Sequence, residues 1–240
     1  MGIPVGDESP RLGGPPLVNL TLIMLNIILF FLSILTPWLL APGARSFYEV
    51  IWTLGFIPAY FLRGERLYTL LTSMFLHGNL VHLLGNMLYL YVFGDNVEVV
   101  MGRLRYIVFY IVSGLVASLI HTLYALMFDP SSLIVPAVGA SGAISGVLGA
   151  YLVLFPWGRV RVVAFWGWIP MSLSLPAIVY IGFWFLYQLL MGLMIAAAGI
   201  SAGVAFWAHI GGFIAGLLLA KLFADKRKLA MARYAYMYYY

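Results

Sequence analysis

Four polar residues lie near the starts of three long apolar runs, and their side chains could do chemistry together. They are Ser141, His209 and the pair His82 and Asn86, which are four positions apart. Polar side chains are costly within a membrane, so those that occur there usually serve a function. A serine, a histidine and two hydrogen-bond donors could act as nucleophile, general base and oxyanion donors.

The composition is that of a protein that crosses a membrane several times. Of the 240 residues, 64% are hydrophobic and 9% are charged, against about 25% charged in soluble domains. The net charge of +5 comes from bases in short loops and near the end of the chain. That arrangement suits membrane lipid with anionic heads, and we predict no nucleic-acid partner. Because there is no cysteine, no disulfide or thiolate metal site can form.

Six apolar runs are long enough to span a bilayer, so we predict an all-α, polytopic membrane fold. The runs lie near 17–40, 78–94, 106–127, 139–155, 177–198 and 205–224. They define a six-helix membrane domain over 17–224, with tails at 1–16 and 225–240. The segments 41–77 and 156–176 are rich in aromatic residues, which favours interfacial loops, and the first of them is predicted to be partly amphipathic helix.

The distribution of basic residues predicts the orientation. With six spans, ten Lys and Arg residues lie on the side of the two termini and three lie on the other side. The positive-inside rule then places both termini in the cytoplasm of a multi-pass cell-membrane protein. The second, fourth and sixth helices begin at the outer face. A rise of about 1.5 Å per residue puts His82, Ser141 and His209 at similar depth.

Glycines accompany both candidate catalytic residues. Ser141 is expected to open the fourth helix, where free N–H groups and the helix dipole favour a developing oxyanion. Small residues four apart let helices approach closely, so the glycines are predicted to bring His209 within reach of Ser141. Each such pattern, taken alone, is also ordinary helix packing. The glycines in question are Gly139, Gly142, Gly146, Gly212 and Gly216.

Other classes of membrane protease are disfavoured by the acidic residues. None of the eight Asp and Glu residues lies inside a predicted span, and the motif His-Glu-x-x-His does not occur. A pair of membrane-embedded aspartates and a zinc site of that type are therefore excluded. No carboxylate is near His209, which leaves a Ser-His dyad rather than a full triad. We predict no cofactor and no metal.

Together these motifs resemble those of the rhomboid intramembrane serine proteases. The matching pieces are His82-x-x-x-Asn86, Gly139-x-Ser141-Gly142, Ala208-His209-x-x-Gly212-x-x-x-Gly216 and Glu98-x-x-x-Gly102-Arg103. Six spans with a long first loop are also the rhomboid plan, and the resemblance covers roughly 17–224. It implies hydrolysis of a peptide bond in or next to the transmembrane segment of a membrane protein substrate.

The resemblance also assigns roles to individual residues. It implies that Ser141 is the nucleophile, that His209 is the general base and then the acid, and that His82, Asn86 and the N–H of Ser141 form the oxyanion hole. The fifth helix and the loop 199–204 would gate lateral access.

Two positions depart from the family pattern. Tyr68-Thr69 stands where Trp-Arg is usual, and Ser145 stands where an aromatic residue often stacks on the catalytic imidazole. His209 must then be oriented otherwise, by a hydrogen bond to Ser145 or by a neighbouring helix.

Two other functions are compatible with parts of the sequence. A rhomboid-like protein could bind membrane helices without cleaving them, although the presence of both Ser141 and His209 argues against that function. A small transporter or haem-binding protein could use the four histidines. That hypothesis does not explain Ser141 and its glycines. The four histidines are His77, His82, His121 and His209.

Overall fold

Helices make up most of the computed structural model, which describes residues 2–8, 14–200 and 204–239. The helices are α1 (Leu17–Leu35), α2 (Pro37–Leu40), α3 (Phe47–Leu54), α4 (Pro58–Leu62), α5 (Thr69–Thr72), α6 (Leu80–Met101), α7 (Arg103–Phe128), α8 (Ser141–Leu154), α9 (Ala177–Ala198), α10 (Phe206–Phe223) and α11 (Lys226–Tyr239). The strands are β1 (Ile3–Asp7), β2 (Arg159–Trp166) and β3 (Ile169–Pro176), and short 3-10 turns cover Ser73–Phe75 and Pro130–Ile134.

Four of the described helices, α1, α7, α9 and α10, are long and apolar enough to cross a membrane. The other two predicted spans correspond to α6 and to α8, which has 14 residues. The helix α8 is buried along nearly its whole length, from Ala143 to Tyr151. It therefore lies at the centre of the bundle and depends on its neighbours for support.

The ends of two helices differ from the predicted spans for local reasons. The first predicted span ran to residue 40, but α1 ends at Leu35, since Pro37 has no N–H and instead begins α2. The helix α6 continues past residue 94 to Met101, because charged residues limit a span without ending a helix. It ends at Gly102, whose φ of 81° few other residues adopt.

The prediction of an all-α fold was wrong in one region. A three-stranded antiparallel sheet, in the order β1-β2-β3, joins the start of the chain to the segment between α8 and α9. The segment 156–176 is thus a β-hairpin and not only an aromatic loop. Its alternating Arg159-Val-Arg-Val pattern, with Val160 and Val162 buried, fits a strand with one buried face.

Both segments predicted to be tails contain regular structure. In the first, the Asp7 carboxylate at the end of β1 accepts hydrogen bonds from Asn96 Nδ2 (2.6 Å) and from Tyr151 Oη (2.7 Å). In the second, α11 is joined to α6 through the N–H of Asp225, which donates to the carbonyl of Val100 (3.0 Å). These contacts lie near the far ends of α6 and α8, at the opposite end of the bundle from Ser141.

The Glu98 motif anchors the first helix to the bundle. The carboxylate of Glu98 accepts hydrogen bonds from the N–H groups of Val18 (3.1 Å) and Asn19 (2.7 Å). These N–H groups belong to the first turn of α1, where N–H groups have no acceptor within the helix. The helix dipole also favours a negative charge at this end. Asn19 in turn donates to the carbonyl of Leu90 (3.0 Å). The buried carboxylate thus joins α1 to α6.

The segment 41–77 contains the short helices α3, α4 and α5, which pack against the neighbouring elements. At the start of α3, the Ser46 hydroxyl accepts from the N–H of Glu49 (3.3 Å), an N-cap bond. Tyr68 and Thr69, which depart from the family pattern, bond locally: Tyr68 Oη donates to the carbonyl of Thr53 (3.3 Å) and Thr69 Oγ1 to that of Arg66 (2.7 Å).

Candidate active site

The loop that leads into Ser141 is held by the segment before α6. Phe56 and Ala137 exchange two backbone hydrogen bonds, of 3.0 and 2.8 Å. Two residues further on, the N–H of Gly139 donates to the carbonyl of Ser73 (2.9 Å). Ser141 then begins α8, so its hydroxyl stands at the helix end where N–H groups are free to donate.

Ser141 and His209 are in direct hydrogen-bond contact. The distance from Ser141 Oγ to His209 Nε2 is 2.8 Å. Both residues are half-buried, and His209 lies in the first turn of α10. A hydroxyl that donates to an imidazole nitrogen is the arrangement in which the ring can remove the proton as the oxygen attacks.

The other imidazole nitrogen of His209 meets a residue of α9. His209 Nδ1 lies 2.9 Å from Oε1 of Gln188, a side chain only 6% exposed. The Ser145 hydroxyl instead donates to the carbonyl of Ser141 (2.7 Å), so it does not orient His209. The sequence left open whether Ser145 or a neighbouring helix orients the ring. In the structure the neighbouring helix α9 does so, through Gln188.

His82 faces the nucleophile across Gly139. A Cβ on Gly139 would lie 2.9 Å from Nε2 of His82 and 3.5 Å from Oγ of Ser141. The backbone of Gly139 has a φ of +132°, which also favours glycine at this position. The N–H of Gly78 donates to Nδ1 of His82 (3.4 Å). In the neutral ring this places the remaining proton on Nε2, the nitrogen that lies beside Gly139.

Asn86 brings an unused donor to the same cavity. Its side chain is 7% exposed, and its Nδ2 has no hydrogen-bond partner among the described residues. The cavity, of about 590 Å³, lies between α6 and α9 and is also lined by Ser141, His82 and His209. A buried donor without a partner is costly unless a ligand satisfies it. The four polar residues singled out by the sequence thus border one cavity.

Glycines bring the backbones of α8 and α10 close together. A Cβ on Gly212 would clash with the carbonyl oxygen of Gly142, and one on Gly216 with that of Gly146. The missing side chains of Gly142 and Gly146 face α7, where a Cβ on Gly142 would lie 2.6 Å from Cβ of Ala117. Gly149, which the sequence analysis did not single out, meets α10 in the same way through the carbonyl of Phe213.

The histidines around the site have different surroundings. Both ring nitrogens of His209 are occupied by Ser141 and Gln188. Within residues 2–8, 14–200 and 204–239, no three His, Cys, Asp or Glu side chains are grouped to hold a metal ion. His77 is 1% exposed and packs edge-on against His82, with ring centroids 5.2 Å apart. Burial lowers the pKa of His77 to about 3.

Two contacts of this site were not foreseen from the sequence. The sequence did not identify Gln188 as the partner of His209. The nearest signal was a lone amide in an otherwise apolar helix. The role of Ser73 could not be predicted from its residue type, because Ser73 contacts the site through its backbone carbonyl. Part of the expected gate, residues 201–203 of the loop 199–204, lies outside the described residues.

The chain is similar in sequence to known proteins. Residues 64–226 match the family model described as Rhomboid domain. The chain is 30% identical over 212 residues to Rhomboid protease AarA of Providencia stuartii, an alignment that covers 85% of this chain and 71% of that protein.

Plant proteins are also similar. RHOMBOID-like protein 4 of Arabidopsis thaliana is 34% identical over 158 residues, which are 66% of this chain and 34% of that protein. RHOMBOID-like protein 6, mitochondrial, of the same plant is 30% identical over 162 residues, which are 66% of this chain and 44% of that protein. The chain thus spans less than half of the length of these plant relatives.

Proposed function

The chain belongs to the rhomboid family of membrane proteins, and we propose that it is an active intramembrane serine protease with a Ser141-His209 dyad. The observation that carries this proposal is the 2.8 Å contact between Ser141 Oγ and His209 Nε2. A protein that only bound membrane helices would have no use for a serine hydroxyl and a histidine in this geometry at the wall of a cavity.

In the proposed reaction, His209 transfers one proton in each of two half-reactions. Nε2 takes the proton of the Ser141 hydroxyl as Oγ attacks the carbonyl carbon of the scissile bond. The protonated ring then gives that proton to the leaving amine as the carbon–nitrogen bond breaks. An ester on Ser141 remains. In the second half, Nε2 takes a proton from water as the water oxygen attacks the ester carbon. The ring then gives that proton to Ser141 Oγ as the bond between Oγ and the carbonyl carbon breaks, which releases the second fragment as a carboxylic acid.

The oxyanion of each tetrahedral intermediate would be stabilised by donors that surround Ser141. His82 Nε2–H, Asn86 Nδ2–H and the N–H of Ser141 are the three candidates. The orientation of His82 by Gly78 and the missing partner of Asn86 Nδ2 support the first two. Fixed donors of this kind act where the negative charge develops, and they need no reorganisation during the reaction.

The proposed substrates are membrane proteins that approach through the bilayer. The cavity lies between α6 and α9, with Tyr89 on one side and Trp184 on the other.

We further propose six membrane spans, α1 and α6 to α10, with both termini in the cytoplasm of a cell-membrane protein. The catalytic end of the bundle would then be near the outer face, and the sheet and α11 would meet the lipid heads of the inner leaflet.

Cleavage of single-span substrates in liposomes tests this function. The purified protein is reconstituted with a panel of such substrates, and products are identified by mass spectrometry. We expect discrete fragments that form in the presence of EDTA and do not form after treatment with a fluorophosphonate. Substrate that copurifies with the protein but stays uncut would favour the alternative, a rhomboid-like protein that only binds membrane helices.

A further inference from the structure

The imidazole of His209 is held at both nitrogens by groups from two different helices. Nε2 accepts from Ser141 on α8, and Nδ1 lies 2.9 Å from Oε1 of Gln188 on α9. An amide oxygen can only accept, so Nδ1 must carry the proton. This is the tautomer in which Nε2 has a free lone pair toward Ser141, as a general base requires.

The other residues around His209 do not fix that tautomer by a hydrogen bond to Nδ1. Ser145, at the position of the usual aromatic residue, donates its hydroxyl to the carbonyl of Ser141. The rings of Trp184 and Phe206 lie beside the imidazole, with centroids 6.3 and 6.4 Å away, but they do not bond to its nitrogens. In the described part of the chain, the titratable groups that act on His209 are His82 from α6 and His121 from α7, and neither is a carboxylate.

We propose that Gln188 is a positioning residue that holds His209 in the catalytically competent tautomer and ring orientation, which makes it the third member of a Ser-His-Gln array. The inference rests on the proposed protease function. Gln188 is buried and lines the substrate cavity from α9. Because its oxygen is carried by that helix, a displacement of α9 changes the distance from the acceptor to His209. The alignment of the base therefore depends on the position of α9.

Three substitutions on α9 test this role. Gln188→Met keeps a long side chain of similar size but removes the acceptor. Gln188→Glu restores an acceptor oxygen at the same place. Leu190→Met, at an exposed position two residues further along the same helix, is the matched control. For each variant, one measures kcat and KM with a single-span substrate, and the rate at which a fluorophosphonate modifies Ser141.

We expect Gln188→Met to lower kcat and the rate of modification by about 10- to 100-fold, with KM little changed, because an unpaired Nδ1–H disfavours the required tautomer. Gln188→Glu should recover most of this loss. The acid limb of its pH–rate profile should move to higher pH, since a carboxylate stabilises the protonated ring. Leu190→Met should behave like the wild type.

Other results would overturn the inference while leaving the protease intact. If wild type and Gln188→Met react at the same rate, Gln188 does not position the base. If Gln188→Glu is as slow as Gln188→Met, or if Gln188→Met raises KM alone, the residue acts through packing or substrate binding. A wild-type protein that neither cleaves substrate nor reacts with the fluorophosphonate would instead contradict the proposed function itself.

Discussion

The hydroxyl oxygen of Ser141 lies 2.8 Å from Nε2 of His209, although the two residues are 68 positions apart in the chain. The contact depends on how closely α8 and α10 approach. A side chain on Gly212 would strike the carbonyl of Gly142, and one on Gly216 that of Gly146. The separation of these two helix backbones therefore sets the geometry of the proposed dyad.

Gly212→Ala should separate α8 from α10 and misalign the dyad. Overpacking of this kind costs about 1–3 kcal/mol of stability, and a displacement of about 1 Å at an active site can cost roughly 100-fold in rate. We expect a lower melting temperature in detergent and cleavage reduced by about that factor. The control is Gly182→Ala on α9, where an added Cβ would meet no atom of the described residues within 4 Å. Equal activity of both variants would show that close helix approach does not align the dyad.

His82→Ala and Asn86→Ala should each slow turnover without abolishing it. Removal of one oxyanion donor costs about 10²–10³ in kcat in enzymes where it has been tested. The loss should appear in kcat and not in KM, because the charge develops only in the transition state. Steady-state kinetics with one model substrate measures both constants. A double variant that cleaves at the wild-type rate would mean that α6 contributes no oxyanion donor.

Acid should destabilise the protein partly through His77, which precedes α6. Burial, and secondly the neighbouring His82, lower its pKa from 6.5 to about 3. The unfolded chain then binds the proton more readily, so this contribution to the free energy of unfolding is complete above pH 6.5 and is lost as the pH falls toward 3. We expect the melting temperature in detergent to fall over that window, less steeply in His77→Phe. Parallel curves for the two proteins would refute this assignment.

Most of the helices and the proximity of Ser141 to His209 were predictable from the sequence, because long apolar runs favour helices and glycines four apart favour close helix packing. We expected the two residues to meet because the sequence placed both at similar depth. The small sheet was missed, since β1 and β2 are more than 150 positions apart and the aromatic content of 156–176 resembles an interfacial loop.

The partner of His209 could not be assigned from the sequence. A single Gln188 in an apolar helix indicates a hydrogen bond, but its rotation about the helix axis depends on packing that only the folded bundle defines. The sequence also could not show that Ser145 does not orient His209. That became clear from the hydrogen bond that the Ser145 hydroxyl donates to the carbonyl of Ser141.

Substrates with weak helix formers near the outer end of their span should be cut fastest. A spanning helix hides its backbone in internal hydrogen bonds, so the scissile bond must first be unwound. Each glycine lowers that cost by about 1 kcal/mol relative to alanine, or about fivefold in rate. Replacing such residues by leucine should slow cleavage accordingly, and mass spectrometry should map the cut near the outer end of the helix. A cut at the bilayer centre, or equal rates, would argue against this route of access.

The most direct test of the central proposal is the cleavage of one single-span substrate by wild type and by Ser141→Ala, purified and reconstituted side by side. Loss of a nucleophile lowers kcat by about 10⁴-fold or more. We expect the wild type to yield two fragments and Ser141→Ala to leave the substrate intact, with equal melting temperatures for the two proteins. Fragments formed by Ser141→Ala at a rate close to that of the wild type would contradict the assignment of Ser141 as the nucleophile.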